Sequence, residues 1–136
     1  GERVEPLSAV RPLHFVLVKP AAGLSTADVY RELGELPAAS AAGGRIAALA
    51  TALRRGNLEE LSQLLSNRLQ SAAARLSPWV ERLRSAFSRL DFVGHQLSGS
   101  GTSYFGVCRH AQQARRLATI LRTQQLGSVY VTRSCC

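Results

Sequence analysis

Apolar residues recur along this chain with two different periods, and the switches between them mark its elements. Leu13-His14-Phe15-Val16-Leu17-Val18 is a nearly continuous apolar run stopped by Pro20, the pattern of a buried strand. Ser25 with Asp28 three residues later reads as a capping box. Val29, Tyr30 and Leu33 then give a short helix its apolar face, and Gly34 closes it. Pro37 to Gly44, rich in alanine with two glycines, is expected to be a loop. Ile46, Leu49, Ala50 and Leu53 return to helical spacing, and Gly56-Asn57 supplies a stop followed by a fresh cap, with Glu60 at the third helical position. Leu61, Leu64, Leu65, Leu69, Ala72 and Leu76 share one face, which predicts a single helix running to the Ser77-Pro78 break. Trp79, Val80, Leu83, Phe87 and Leu90 form the following helix.

The remaining pattern is mostly of period two. Phe92 to Leu97 and Tyr104 to Cys108 read as strands, Ala114, Leu117, Ala118 and Leu121 mark a last helix, and Ser128-Val129-Tyr130-Val131-Thr132 alternates like a closing strand. The predicted order is β, four helices, β, β, α, β. With the helical block counted as one enlarged first crossover, this is the split βαβ arrangement of an α+β, ferredoxin-like domain: an antiparallel sheet with helices on one face.

Between the two central strands lies Leu97-Ser98-Gly99-Ser100-Gly101-Thr102. Two glycines around one serine let the backbone turn sharply and aim successive N–H groups at one point, as in loops that cradle an oxyanion or a phosphate. The same residues also fit a plain hairpin loop. A strand follows them and not a helix, so neither the dinucleotide fingerprint nor the Walker A loop applies.

Composition narrows the choices. At 136 residues and 46% hydrophobic, the chain can bury a core without disulfides or metals. Its net charge of +8 is unevenly placed: residues 1–60 carry seven charges of each sign, whereas beyond Glu60 ten arginines face only Glu81 and Asp91. Such a field attracts anions, whether nucleotide, phosphate ester or nucleic acid. Arginines such as Arg68, Arg75, Arg82 and Arg89 on polar helix faces equally read as a solvating surface. Cys108 sits in an apolar strand and Cys135 adjoins Cys136, so reduced thiols are expected in place of a disulfide framework. His14, His95 and His110 lack metal-ligand spacing, and no metal site is expected. No apolar run approaches the roughly 20 residues of a membrane helix, and the first residues lack the order of a signal peptide. The expectation is a cytoplasmic protein without a membrane partner. The absence of methionine and the opening Glu5-Pro6-Leu7-Ser8 suggest a domain cut from a longer polypeptide, with residues 1–12 a linker and 13–136 the domain.

Three segments carry a resemblance. Phe15-Val16-Leu17-Val18-Lys19-Pro20 with Gly23-Leu24-Ser25-Thr26 and Val29-Tyr30 forms the first. Leu65-Ser66-Asn67-Arg68-Leu69-Gln70 with Leu76-Ser77-Pro78 is the second, and Leu97-Ser98-Gly99-Ser100-Gly101 with Phe105 the third. In order and spacing they resemble the C-terminal domain of the 4-diphosphocytidyl-2-C-methyl-D-erythritol kinases, of the GHMP kinase superfamily, over most of residues 13–132. Arg68 and Gln70 depart from it, standing where acidic residues are common in the family.

The resemblance implies a kinase that uses ATP and Mg2+ to phosphorylate a tertiary hydroxyl of a cytidine-diphosphate-linked methylerythritol in non-mevalonate isoprenoid synthesis. It also implies a missing N-terminal kinase domain in cis that carries the main ATP loop and the catalytic aspartate and lysine. This chain has no Pro-x-x-x-Gly-Leu-Gly loop, and its only lysine, Lys19, ends a strand. No catalytic residue is therefore expected here, and no cofactor held by this chain alone. Thr26 and Tyr30 are implied substrate contacts, and Ser98, Gly99, Ser100, Gly101 and Thr102 an implied phosphate or nucleotide loop. Without the resemblance, Thr26 reads as a helix first-turn residue and Tyr30 as a partly buried core ring. The alternatives are a ferredoxin-like RNA-binding module, whose base-stacking signature Thr102-Ser103-Tyr104-Phe105-Gly106 does not reproduce, and a regulatory small-molecule domain.

Overall fold

The computed structural model describes Leu7, residues 10–34 and residues 42–134. Its elements are β1 (His14–Lys19), α1 (Thr26–Leu33), α2 (Ala42–Arg55), α3 (Leu58–Leu64) and α4 (Leu69–Leu76). They continue with α5 (Pro78–Ser88), β2 (Gly94–Leu97), β3 (Tyr104–Cys108), α6 (Ala111–Thr123) and β4 (Ser128–Arg133). The strands form one antiparallel sheet in the order β2-β3-β1-β4. That is the α+β, ferredoxin-like topology the pattern predicts, with the helical block inserted in the first crossover.

Alternation along the strands sorts the sheet into two faces. Val16, Val18, Tyr104 and Cys108 point into the main core, with Ala72 and Ala73 of α4, Val80, Leu83 and Phe87 of α5, and Leu117 and Leu121 of α6. Aromatic packing ties this face together: Phe87 stacks on Phe92 at 4.8 Å between centroids and tilts against Tyr104 at 4.9 Å. On the other face Phe15 and Phe105 meet edge to face at 6.1 Å. There α3 approaches closely at Gly94, where a Cβ would lie 2.7 Å from Leu65 Cδ1. Ala52, Leu61 and Val107 are buried apart from the main cluster.

Three local expectations need correction. The single helix over Leu61–Leu76 is two helices, so five helices and not four separate β1 from β2. Leu65, at φ −64° and ψ 125°, leaves the helical path, and the Asn67 side chain then accepts the Leu69 N–H at 2.9 Å, an Asx turn that competes with helix. The leucine period runs through this break because its two halves serve different clusters, Leu61 outside the main core and Ala72 inside it. The predicted strand from Phe92 begins only at Gly94, since Phe92 is turned inward onto Phe87. Of the expected Pro37–Gly44 loop, residues 37–41 lie outside the described residues and 42–44 already belong to α2.

Candidate functional site

The loop joining β2 to β3 is built from its own backbone. The Ser98 N–H donates to Ser103 O at 2.8 Å and the Gly101 N–H to Ser98 O at 3.1 Å, with Gly99 at φ +58° and Gly101 at φ +109°, where a side chain would be strained. A Cβ on Gly101 would also stand 3.2 Å from Leu24 Cδ2. Glycine there lets the loop rest on the segment that leads into α1.

That contact brings two distant parts of the sequence together. Ser25 caps α1 by accepting the Asp28 N–H at 3.3 Å. Thr26, the first residue of α1, places its hydroxyl 2.8 Å from the Ser100 hydroxyl across 74 residues of sequence. Thr26, Ser98, Gly99, Ser100, Gly101 and Thr102 thus surround one corner of the domain. Tyr30 lies one helical turn beyond Thr26 on the same face of α1 and is 52% exposed, so it is not a core ring.

Two residues outside that expected set hold the loop from below. The Asn67 side-chain amide donates to Leu97 O at 2.8 Å and to Gly99 O at 2.7 Å. Gln70 Oε1 accepts the Leu97 N–H at 2.8 Å. Both come from the α3–α4 break and the first turn of α4, and the signal that could have exposed them is an asparagine interrupting a leucine stripe.

The chemistry on offer is neutral. The N–H groups of Gly99, Ser100 and Thr102 have no partner among the described residues, and with the N-terminus of α1 and two hydroxyls they suit an anionic oxygen. Beneath them, Tyr104 is fully buried with its hydroxyl 3.0 Å from His95 Nδ1. Burial pushes the Tyr104 phenol up to about 12. Burial first, and then the nearby Arg84 charge, holds His95 below its usual value. Cys108 is a free, buried thiol, raised to about 11 by burial and further by the charge of Asp91. Among the described residues no group of three His, Cys, Asp or Glu is arranged to hold a metal ion, and no helix is long and apolar enough to cross a membrane.

Comparison with known proteins places this corner in context. The family model described as GHMP kinases C terminal matches residues 49–125. A 4-diphosphocytidyl-2-C-methyl-D-erythritol kinase of Shouchella clausii (strain KSM-K16) is 34% identical over 122 residues, which cover 90% of this chain and 40% of that protein. Its counterpart in Pelotomaculum thermopropionicum is 31% identical over 134 residues, covering 98% and 46%. A crystal structure of 4-(cytidine 5'-diphospho)-2C-methyl-D-erythritol kinase matches the fold with a TM-score of 0.74 at 29% identity, covering 98% of this chain and 46% of that one. The chain spans less than half the length of these relatives.

Proposed function

Because the chain belongs to the family of GHMP kinase C-terminal domains, we propose that it forms the substrate-side wall of an ATP-dependent kinase acting on 4-diphosphocytidyl-2-C-methyl-D-erythritol. In this reading residues 1–12 link it to a preceding domain in cis that carries the principal ATP loop and the catalytic groups, and residues 13–136 alone do not catalyse the reaction. The observation that carries the proposal is the Thr26–Ser100 hydroxyl contact at 2.8 Å, which joins the loop to the start of α1 and makes one site of two segments.

Phosphoryl transfer depends mainly on positioning and on spreading charge over phosphate oxygens. The Gly99, Ser100 and Thr102 amides suit a phosphate oxygen at the cleft. In this reading the Thr26 hydroxyl orients the substrate and the exposed Tyr30 ring packs on the cytosine or the erythritol chain. Magnesium, when bound in such a kinase, neutralises phosphate charge. The described residues offer hydroxyls and amides at this corner and no carboxylate cluster, so they fit the anion and not the cation.

Amide shifts tests the proposal directly. Separate titrations with ATP and magnesium, with 4-diphosphocytidyl-2-C-methyl-D-erythritol and with a short single-stranded RNA should perturb Thr26, Tyr30 and Ser98–Thr102 weakly, at high ligand concentration, for the first two ligands. A response to RNA spread over Phe15, Phe105 and Tyr130 on the sheet, with silence toward both nucleotides, would favour an RNA-binding module and overturn the kinase reading.

A further inference from the structure

We infer that Asn67 and Gln70 are the positioning residues that set the phosphate-facing amides of the loop, and that the site requires a hydrogen-bond donor at 67 and an acceptor at 70. This rests on the kinase-domain reading for its ligand but on geometry for its mechanism.

The orientation of the Asn67 amide is fixed by its neighbours. Its Oδ1 accepts from the Leu69 N–H at 2.9 Å, a group that can only donate, which leaves the two Nδ2 hydrogens facing Leu97 O and Gly99 O, groups that can only accept. A trans peptide is planar with C=O and N–H pointing in opposite directions. Holding Gly99 O toward Asn67 therefore turns the next amide, the Ser100 N–H, away from Asn67. The Ser100 side chain meanwhile is bound to Thr26, so residue 100 is fixed from two directions. One asparagine thus orients an amide that it does not touch.

Gln70 works on the strand end below. Its Oε1 accepts the Leu97 N–H at 2.8 Å, beside the Tyr104 hydroxyl that lies 3.0 Å from His95 Nδ1. Leu97 and Tyr104 are register partners and both are fully buried, so this network ties the root of the loop to the core. A carboxylate at position 70 could accept from the Leu97 N–H in the same way. At position 67 the reverse holds: aspartate would set a carboxylate oxygen against two carbonyl oxygens.

The test is a comparison of signs in the 136-residue chain. Amide hydrogen exchange is read at Ser98 and Gly101, whose N–H groups are bonded within the loop, and ADP affinity is read from shifts at Gly99, Ser100 and Thr102, with Tm as a control. N67A should speed exchange and weaken ADP roughly tenfold, the effect of one to two lost hydrogen bonds, and N67D at least as much despite being isosteric. Q70A should behave like N67A, and Q70E should restore values to within about threefold of the parent. A role limited to filling space would make N67D the milder change and would not separate Q70E from Q70A. Should N67D not fold, N67L, which fills the space without a donor, takes its place: a space-filling role makes it milder than N67A, and the donor role does not. Parent-like exchange in N67D or N67A, or Q70E indistinguishable from Q70A, overturns the inference. The expected exchange pattern without any ADP response in the parent chain would confirm the hydrogen bonds but overturn the phosphate reading, and the positioning role with it.

Discussion

Replacing Gly106 with alanine should strain the core at one identifiable point. Gly106 is buried in β3, and a Cβ built there would stand 2.6 Å from Phe92 Cε1 and 2.8 Å from Phe92 Cγ. Ordinary carbon contact begins near 3.5 Å, so the ring must retreat by roughly 1 Å. It has little room, because it is stacked on Phe87, which is itself 0% exposed and wedged against Tyr104. Overpacking of this kind costs about 1–3 kcal/mol, partly offset by about 0.4–1 kcal/mol from the lower entropy of the unfolded alanine chain. With a contact this close the net loss is taken as about 0.6–2 kcal/mol, which for a domain of this length lowers Tm by about 2–10 °C, measured by reversible thermal or urea unfolding. Trimming the obstructing ring supplies the control: G106A in an F92L background should cost at least about 1 kcal/mol less than in the parent. A parent-like Tm for G106A, or strict additivity of the two changes, would refute the packing described for Phe92.

Three other outcomes follow from the site. In a double-mutant cycle, T26V and S100A should each remove the same hydrogen bond, giving a coupling of about 0.5–1 kcal/mol in loop stability by hydrogen exchange; purely additive effects would mean the two hydroxyls do not meet. Because His95 titrates below its unfolded value, the native state binds fewer protons than the unfolded chain in that window. Stability should therefore be complete above about pH 6.5 and decline as the pH falls through the lowered native value, a slope that H95Q should flatten. Y30A, at a half-exposed position, should change unfolding free energy by no more than about 0.5 kcal/mol. It should weaken binding of the cytidine substrate while leaving ADP binding intact.

Much of the architecture was legible because strong periodicity coincided with clear stops. Tyr104–Cys108 was placed to the residue, and Ser25, Gly34, Asn57 and Pro78 marked helix boundaries that the structure keeps. The failures share a cause. At Leu65–Arg68 the leucine stripe outlives the helix that it describes, since periodicity records which residues are apolar and not which cluster each one joins. At Phe92 an aromatic read as the start of a strand is a core plug preceding one. For the candidate corner, the glycine bend and the capped helix could be read separately, but their meeting depends on sheet order, which no local pattern encodes. Asn67 and Gln70 belong to the same class: they act through a distant backbone, so neighbouring residues say nothing of their partners.

The strand order also brings Leu13 and Ser134, near the two ends of the described residues, together. β1 and β4 lie side by side, and Leu13 and Ser134 clasp each other through two bonds, Ser134 N–H to Leu13 O and Leu13 N–H to Ser134 Oγ, each at 2.9 Å. Anything attached ahead of Leu13 or behind Ser134 leaves from a single hinge point. The glycine bend sits at the far rim, beside the Val18–Tyr104 rung and away from His14–Cys108, about 13 Å along the strand at 3.3 Å per residue. A neighbour fastened at that hinge must lean over the length of the sheet to touch the bend. Tension applied across the tether would open the outermost ladder rung by rung, as a zip parts, and leave the rim until last.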